Sequence, residues 1–405
     1  MHPLIQREQQ YGANNYEPLP VVLTRGEGIY VWDDAGNRYT DMMSAYSAVS
    51  HGHCHPTLVK ALIEQANTLA IVSRAFYTNQ LGLFLQKACE LTGLDKALPM
   101  NTGAEAVETA LKAARKWAYT VKKVPADKAE IIICEGNFHG RTITIVGMSS
   151  EPQYRSGFGP FPAGFKQIPF GDTKALEQAI TPNTAAFLVE PIQGENGIII
   201  PPAGYLKACA EICKKNNVLL ICDEIQTGLA RTGKFLASEH DGVKPDGLVL
   251  GKALGGGLLP ISLFLTRKDV MDVFTPGDHG STFGGNPLAS AVGIAALNVL
   301  VEENFVSRSA ELGEYFLQSL KKLKSPLIAD VRGRGLLVGL EINPRYYSAR
   351  ALCFNLLKLG VLTKDTHKTV IRLAPPLIIT KEQLDVVVTA IAKALVEAEK
   401  EVKII

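Results

Sequence analysis

Short, almost entirely apolar runs alternate along this chain with longer segments of helical periodicity, and this alternation restricts the fold more than any other feature. It is typical of α/β proteins with a mainly parallel sheet, because strands covered by helices on both faces carry apolar side chains on both sides. Ligands of such sheets collect at the carboxyl ends of the strands, so the residues after these runs are the first candidates for a site. The clearest runs are Glu130–Cys134, Ala185–Val189, Val218–Cys222 and Leu248–Leu250.

The composition excludes several classes of protein. The 405 residues include 42 Lys+Arg and 40 Asp+Glu, for a net charge of +2, and 46% are hydrophobic. This balance rules out a disordered chain and gives no electrostatic case for nucleic acid or an anionic membrane as a partner. No apolar run approaches the ~20 residues that span a membrane. The N-terminus lacks an apolar signal core and the seven cysteines are scattered, so we expect a reduced, cytosolic protein.

Two carboxylates end one of the apolar runs. Asp223 and Glu224 directly follow apolar residues, a position that a solvated turn explains poorly. One interpretation is a strand that holds Mg²⁺ in a nucleotide hydrolase, and the other is a carboxylate that pairs with the protonated ring nitrogen of pyridoxal phosphate. The segment 228–235 has P-loop spacing, but it ends in Phe235, where that loop needs Ser or Thr, and no strand of its own precedes it. We therefore reject the nucleotide interpretation.

The second interpretation needs a lysine at another strand end and a phosphate site. Lys252 ends an apolar run and precedes three glycines, where backbone can approach a flat ring closely. Burial there would lower the pKa of its amine and free it for Schiff-base chemistry. Asn101 to Ala104 open a helix with a capping box, and a helix start binds anions. Taken alone this is an ordinary helix cap, and the residues from His279 to Pro287 are only a loop with hydroxyls and backbone donors.

Three histidines at alternate positions, His51, His53 and His55, have the spacing of metal ligands on one face of a strand. Gly52 and Pro56 argue against a regular strand in this segment. No carboxylate or cysteine cluster completes a ligand set around them in the sequence. We therefore predict no metal site.

The order of the motifs resembles that of the class III (ω-amino acid) aminotransferases, which are fold-type I pyridoxal-phosphate enzymes. The resemblance runs from about Tyr11 to beyond Pro376, and agreement at many ordered stretches is strong evidence where any single stretch is not. The stretches cover residues 46–49, 73–77, 100–106, 136–142, 190–195, 223–233, 250–254 and 371–376.

The resemblance implies an α/β fold divided into domains. A large domain, residues 46–288, would bind the cofactor on a mainly parallel sheet of seven strands. After it, amphipathic segments alternate with short strand-like runs, which favours a smaller α+β domain over residues 289–405. An N-terminal segment, residues 1–45, is expected to pack with the smaller domain.

Carried over by position, the resemblance implies pyridoxal 5'-phosphate as the cofactor. Lys252 would form the Schiff base and shuttle a proton, and Asp223 would pair with the ring nitrogen. The other residues implied at the cofactor are Gly103 and Ala104 at the phosphate, Phe138 and Ile225 on the ring faces, Gln226 at the ring hydroxyl, and Ser281 and Thr282 at the phosphate of the neighbouring subunit. The last two residues imply a homodimer with active sites at the subunit interface.

The resemblance also implies L-ornithine and 2-oxoglutarate as substrates. Arg141 would grip the α-carboxylate of ornithine bidentately, Tyr46 would meet its α-amino group, and Tyr77 would line the same pocket. Arg372 would bind the second carboxylate of 2-oxoglutarate, and Glu195 would neutralise Arg372 while ornithine reacts. The δ-amino group would thus pass to 2-oxoglutarate. The products would be glutamate and glutamate 5-semialdehyde, which cyclises to pyrroline-5-carboxylate.

Other members of the family share the cofactor residues. Acetylornithine and 4-aminobutyrate aminotransferases are expected to lack a tyrosine at position 46, so Tyr46 is the main discriminator. The pair of arginines does not support an aminomutase. A catalytically silent scaffold of the same fold is disfavoured because Lys252 and Asp223 are both present.

Overall fold

The computed structural model describes residues 2–402 as three β-sheets with helices packed on them. The strands are β1 (Leu23–Glu27), β2 (Tyr30–Asp33), β3 (Arg38–Asp41), β4 (Lys96–Met100), β5 (Glu130–Cys134), β6 (Phe165–Ile168), β7 (Thr184–Val189), β8 (Leu219–Asp223), β9 (Gly247–Leu250), β10 (Ser262–Thr266), β11 (Ile328–Arg334), β12 (Leu337–Ile342), β13 (Val361–Leu362), β14 (Lys364–Thr366) and β15 (Val370–Leu373). The helices are α1 (Pro3–Tyr11), α2 (Ser44–Ser47), α3 (Pro56–Ala66), α4 (Leu81–Thr92), α5 (Gly103–Trp117), α6 (Ile143–Met148), α7 (Pro152–Arg155), α8 (Thr173–Ala179), α9 (Tyr205–Lys215), α10 (Lys268–Met271), α11 (Pro287–Glu302), α12 (Phe305–Lys321), α13 (Ala349–Lys358) and α14 (Lys381–Val402).

The central sheet has seven strands in the order β4-β10-β9-β8-β7-β5-β6. The neighbours from β9 to β6 are parallel, and β10 runs antiparallel to both β9 and β4. Every residue of β7, β8, β9 and β10 is buried, as expected of strands that are covered on both faces. The predicted α/β fold with a mainly parallel, seven-stranded sheet is therefore confirmed.

The other two sheets have four strands each. β1, β2 and β3 form an antiparallel meander, and β13 joins it in parallel, with Val361 opposite Thr40. β11, β12, β15 and β14 form the other sheet, in which all pairs are antiparallel. The first sheet thus joins N-terminal to C-terminal residues. The division into residues 1–45, 46–288 and 289–405 stays a prediction, and its second limit lies inside α11.

α11 and α12 follow each other and are bent by 60° at their junction. No single helix among residues 2–402 is long and apolar enough to cross a membrane, and only this bent pair reaches the required length and hydropathy together. Both helices supply side chains to the buried core, among them Val292, Leu297 and Phe316.

Four strand ends meet at one edge of the central sheet. β4, β7, β8 and β9 run in the same direction, because β10 is antiparallel to both of its neighbours. Their carboxyl ends bring Asn101, Glu190, Asp223 and Lys252 to this edge, each within two residues of its strand. The edge is the position at which ligands of open α/β sheets bind.

Candidate active site

The side chains of Asp223 and Glu224, at the end of β8, have different partners. The Asp223 carboxylate accepts the backbone amide of Ile225 at 3.0 Å on Oδ1, and its Oδ2 lies 2.7 Å from Nδ1 of buried His139. Glu224 accepts the amides of residues 237 and 238 at 2.5 and 2.8 Å, and burial raises its pKa to about 7. Of the two carboxylates, Asp223 lines the cavity at the sheet edge, and Glu224 fixes the following loop.

Two buried ionisable residues that the sequence analysis did not assign lie beside Asp223. Burial would lower the pKa of His139, but its hydrogen bond to Asp223 and the charge of that carboxylate raise it. Glu190, which follows β7, accepts the amides of Phe138 at 3.0 Å and Gly194 at 3.3 Å. Burial raises the pKa of Glu190 to about 7. Asp223 is thus held in a buried, charged cluster that restricts the orientation of its carboxylate.

Lys252 begins a short 3₁₀ turn after β9 and has a φ of 46°, in the left-handed region. Its side chain lines the same cavity as Asp223 and Glu195. Burial lowers the pKa of its amine, and the charges of Glu195 and Asp223 counteract only part of this shift. A lowered pKa increases the share of the neutral amine, the form that acts as nucleophile or base.

This cavity, the inner cavity, has a volume of about 200 Å³, and its lining includes the apolar side chains of Phe138 and Ile225. An added Cβ at Gly103 would lie only 2.8 Å from Cδ1 of Ile225, so the glycine permits this close approach of helix and side chain. Seven of the residues predicted at the cofactor line this cavity, namely Gly103, Ala104, Phe138, Asp223, Ile225, Gln226 and Lys252.

The start of α5 offers two backbone donors to the cavity. The predicted capping box is confirmed: Thr102 Oγ1 accepts the Glu105 amide at 3.2 Å, and the Glu105 carboxylate accepts the Thr102 amide at 2.6 Å. Among the described residues, the amides of Gly103 and Ala104 have no acceptor. They lie at the positive end of the helix dipole, where a phosphate group is stabilised.

Arg372 and Glu195 form a bidentate ion pair at the cavity. Nη1 of Arg372 lies 2.5 Å from Oε1 of Glu195, and Nη2 lies 2.8 Å from Oε2. Gln226 Nε2 also donates to Oε1 at 3.0 Å. Burial would raise the pKa of Glu195, but the charge and hydrogen bonds of Arg372 lower it to about 2. Although burial opposes it, the same pairing raises the pKa of Arg372, so both groups stay charged.

Tyr46 reaches Arg372 from an unusual backbone segment. The guanidinium carbon lies 5.1 Å from the centre of the Tyr46 ring, within cation–π range. All four residues of α2, Ser44–Ser47, have positive φ, from 44° to 77°, although none is glycine. Asp41 Oδ1 holds this turn by accepting the amides of Met43 at 2.8 Å and Ser44 at 2.9 Å. The turn places the tyrosine against Arg372 at a cost in backbone strain.

Arg141 lies on an exposed loop and packs on an aromatic residue that the sequence analysis missed. Its guanidinium carbon is 3.6 Å from the centre of the Tyr154 ring and 5.4 Å from that of Phe138. A second cavity of about 570 Å³, the outer cavity, is lined by Tyr154, Phe138 and Glu195 among others. Arg141 is thus stacked near the outer cavity, next to the wall that Phe138 shares between the two cavities.

Six predicted residues do not line the inner cavity. Three of them, Tyr46, Arg141 and Arg372, have the contacts described above, and the other three are Tyr77, Ser281 and Thr282. The Tyr77 side chain is fully exposed. Ser281 is half-buried and Thr282 exposed, and Ser281 Oγ accepts from Asn101 Nδ2 at 2.9 Å instead of lining the cavity. Tyr16, which was not predicted, shares a cavity of about 440 Å³ with Tyr46 on another side of the α2 turn.

Comparison with known proteins places the chain in a family. The family model of the class-III aminotransferases matches residues 11–395. The ornithine aminotransferase of Brevibacillus brevis is 57% identical over 97% of this chain and 98% of its own.

The chain belongs to the class-III aminotransferases.

Solved structures of the same family superpose closely. The ornithine aminotransferase of Toxoplasma gondii, in a crystal with partial occupancy of PLP, matches with a TM-score of 0.98 at 47% identity, covering 99% of this chain and 95% of that one. The acetylornithine aminotransferase of Elizabethkingia anophelis matches with a TM-score of 0.89 at 51% identity, covering 97% and 98% of the two chains.

Class-III aminotransferases depend on pyridoxal 5'-phosphate, and the residues of this cavity fit it. The unpartnered amides at the start of α5 suit the phosphate, and the buried Asp223 carboxylate suits a protonated ring nitrogen. Oε1 of Gln226 is buried without a partner among the described residues, and it suits a ring hydroxyl. Phe138 and Ile225 are apolar walls for the ring.

The residues on which the metal-site and P-loop interpretations rested have structural roles. The three alternate histidines face different partners: His51 lies 3.0 Å from the Ala296 carbonyl, His53 2.8 Å from Asp41 and His55 3.1 Å from Glu303. In the segment with P-loop spacing, Arg231 is fully buried and donates to the carbonyls of residues 336 and 375. Each of these features is accounted for by contacts within the fold.

Proposed function

We propose that this chain transfers the δ-amino group of L-ornithine to 2-oxoglutarate. The products would be glutamate and glutamate 5-semialdehyde, which cyclises to pyrroline-5-carboxylate. The observation that carries this proposal is the bidentate Glu195–Arg372 pair beside Lys252, in which Arg372 is buried and Glu195 is half-buried. The name of the Brevibacillus brevis relative, ornithine aminotransferase, supports the choice of amino donor.

The ion pair allows one pocket to accept two different substrates. While Arg372 is paired with Glu195, its charge is neutralised. An amino donor that lacks a second carboxylate can therefore bind beside it without leaving an unpaired charge. The dicarboxylate 2-oxoglutarate would replace Glu195 as the bidentate partner of Arg372. Glu195 would then keep its bond from Gln226.

The residues of the inner cavity would hold the cofactor. Pyridoxal phosphate, when bound, supplies an aldehyde carbon that takes up the amino group and a protonated ring that withdraws electrons. Gly103 and Ala104 would bind its phosphate, and Phe138 and Ile225 would cover the two ring faces. Asp223 would keep the ring nitrogen protonated, and the contact between Asp223 and His139 would hold the carboxylate in place.

Lys252 would perform the proton transfer. It would hold the aldehyde carbon of the cofactor in the resting enzyme and, when its amine is free, would serve as the base of the site. The free amine would take a proton from the δ-carbon of ornithine and return it to the carbon of the cofactor that received nitrogen. Burial lowers the pKa of Lys252, which increases the share of the neutral amine that can accept a proton.

Two residues would orient ornithine with its δ-amine toward Lys252. Arg141, stacked on Tyr154, would bind the α-carboxylate, and Tyr46 would contact the α-amino group. A substrate with an acetylated α-amino group or none would lose the second contact. This is why Tyr46 separates ornithine from acetylornithine and 4-aminobutyrate in the proposal.

The visible absorption spectrum tests the reaction. The purified protein, loaded with pyridoxal phosphate, should be yellow, and its long-wavelength band should bleach on addition of ornithine and return with 2-oxoglutarate. Parallel samples receive acetylornithine or 4-aminobutyrate. Faster bleaching by either of these would show that this compound, and not ornithine, is the preferred amino donor. A protein that stays colourless with pyridoxal phosphate would overturn the proposal.

The variant Glu195→Ala tests the ion pair. With Arg372 unpaired, reaction with the α-amine of glutamate should speed up by about tenfold or more relative to ornithine, which corresponds to about 1.4 kcal/mol. Glu135→Ala is a matched control, because Glu135 lines the outer cavity with Glu195 but is exposed and does not contact Arg372. Unchanged relative rates for Glu195→Ala would contradict the gating role.

We also propose a homodimer with active sites at the subunit interface. Phe76, Tyr77 and Phe283 are 66%, 105% and 56% exposed, a concentration of aromatic side chains that favours contact with a protein. Arg74 Nη1 donates to the Gly284 carbonyl at 3.4 Å, which joins the two loops that carry them. Analytical ultracentrifugation should give twice the chain mass, and a fully active monomer would refute the proposal.

A further inference from the structure

The loop that follows residue 278 is fixed to α5 through His279. Nε2 of His279 lies 2.8 Å from the Thr109 hydroxyl, and its Nδ1 lies 2.9 Å from the Lys112 ammonium. Lys112 also donates to the Asp278 carbonyl at 3.0 Å. The imidazole stacks on Phe274, with ring centroids 5.7 Å apart and ring planes inclined by 18°. The histidine is therefore held on both nitrogens and on one face.

The contacts decide which nitrogen carries the proton. The Thr109 hydroxyl donates to the Glu105 carbonyl at 2.7 Å, so it accepts from Nε2–H of His279. The Lys112 ammonium can only donate, so Nδ1 is the acceptor. Burial and the Lys112 charge lower the pKa of His279, against a smaller opposing influence of Glu105, which favours this neutral tautomer. A directional chain thus runs from Lys112 through His279 and Thr109 into the backbone of α5.

Other charged groups near the loop are paired among themselves. The Asp278 carboxylate pairs with Lys116 and accepts both the amide and the hydroxyl of Thr275, at 2.6 and 2.9 Å. His279 contacts Lys112, Thr109 and Phe274, and Glu105 is the other charge that acts on it from α5. On its remaining side it lines a cavity of about 620 Å³ whose lining also includes the charged residues Glu90, Asp95, Lys96 and Asp272. Thr109 itself is fully buried.

Asn101, the residue that precedes the cap of α5, holds the loop again two residues further on. Ser281 Oγ accepts from Asn101 Nδ2 at 2.9 Å and from the Gly284 amide at 3.0 Å. Asn101 directly precedes the capping box of α5, whose first amides lie at the cavity. The segment from His279 to Ser281 is therefore attached at one end to α5 and at the other to the residue before its cap, and a shift of His279 would displace Ser281.

We propose that His279 is a positioning residue that sets the loop of Ser281 and Thr282 for binding of the cofactor phosphate. This inference rests on the proposed function, in which Ser281 and Thr282 reach the phosphate of the neighbouring subunit. His279 lines neither the inner cavity nor the outer one. Its effect is therefore on the affinity for pyridoxal phosphate, and the proton transfer by Lys252 is unaffected once the cofactor is bound.

The affinity of the full-length apoenzyme for pyridoxal phosphate tests this inference. His279→Leu removes both polar contacts and should raise the dissociation constant about tenfold, with kcat at saturating cofactor little changed. His279→Gln can keep a donor toward Thr109 and should recover most of the affinity. Thr109→Val should match His279→Leu, and the double variant should bind no more weakly than either single variant, because both break one chain.

Thr120→Val is the matched control for Thr109→Val. Thr120 also donates to a backbone carbonyl four residues earlier at 2.7 Å, but it is exposed and contacts no histidine. Its dissociation constant for pyridoxal phosphate should equal that of the unchanged chain.

The outcomes separate this inference from the proposed function. An unchanged dissociation constant in His279→Leu, or additive losses in the double variant, would overturn the positioning role while ornithine transamination persists. A lower melting temperature of the apoenzyme without a change in affinity would also overturn it, because it would show a structural role only. If the unchanged chain failed to transaminate ornithine, the proposed function would fail whatever the affinity.

Discussion

Removing Asp41 should release the left-handed turn that presents Tyr46. In Asp41→Ala the amides of Met43 and Ser44 lose their acceptor, which is almost completely buried. Hydrogen bonds to a charged acceptor contribute about 1.5–3 kcal/mol each, hence about 3–6 kcal/mol for the two. Left-handed backbone costs about 1–2 kcal/mol per residue, hence about 4–8 kcal/mol for the four residues of α2. The two energies are similar, so the turn should unwind when Asp41 is lost.

Unwinding relieves the strain and therefore limits the loss of stability. We expect the free energy of unfolding of Asp41→Ala to fall by about 3 kcal/mol, near the lower end of the hydrogen-bond contribution. Tyr46 would move away from Arg372, so the KM for ornithine should rise about tenfold or more, a change of about 1.4 kcal/mol in binding. The value of kcat at saturation should change less, because Lys252 and Asp223 stay in place. Urea unfolding and steady-state kinetics measure the two effects.

Asp41→Asn separates the effect of the two hydrogen bonds to Asp41 from the effect of its charge. Asparagine keeps an acceptor oxygen for both amides and loses only the carboxylate charge beside His53, whose Nε2 lies 2.8 Å from Oδ2 of Asp41. We expect a loss of about 1 kcal/mol and a nearly unchanged KM, since a part-exposed pair contributes little. If Asp41→Ala raised the KM for ornithine no more than Asp41→Asn does, the account of the strained turn would be wrong.

Two further predictions follow from buried groups. Burial lowers the pKa of His51 to about 4 from an unfolded value of 6.5, so protonation favours the unfolded chain. Stability should fall by about 3 kcal/mol as the pH drops from 6.5 to 4, and His51→Gln, which can still donate to the Ala296 carbonyl, should flatten this part of the curve in urea unfolding at a series of pH values. Gly194→Ala should weaken pyridoxal-phosphate binding in a spectroscopic titration, because the new Cβ would lie 1.7 Å from Oε1 of Gln226 and push that amide away from Glu195. Equal affinity of Gly194→Ala and the unchanged chain would show that Gln226 is not needed at the cofactor.

The strands of the central sheet could be predicted because burial on both faces leaves a local signal. The run Glu130–Cys134 coincides with β5, and the other three predicted runs agree with β7, β8 and β9 to within one residue at each end. The N-terminal meander was missed for the opposite reason. β1, with the sequence LTRGE, is largely exposed and mixes charge with glycine, so neither apolar content nor alternation marks it.

The residues of the site also divide into those that the sequence could predict and those that it could not. Strand ends pointed to Asp223 and Lys252, and the same rule would have indicated Glu190, which directly follows β7. The sequence could not separate Asp223 from Glu224, because their roles depend on amides thirteen and fourteen residues after Glu224 and on a histidine from another loop. Tyr154 carries no pattern at all, since only the folded chain brings it under Arg141.

The strained backbone of the site lies beyond any local rule. Both α2 and Lys252 adopt left-handed φ values that L-residues avoid, so local propensity predicts against these conformations. They persist because distant groups hold them: Ser44 Oγ donates to the Ala374 carbonyl at 2.7 Å, and Ala374 is two residues beyond Arg372. The contact that stabilises the Tyr46 turn therefore also fixes the strand that bears Arg372. Local preference and global fold disagree here where the side chains of Tyr46 and Arg372, both proposed to face the substrate, are placed together, and the surrounding core supplies the free energy that holds the strained backbone.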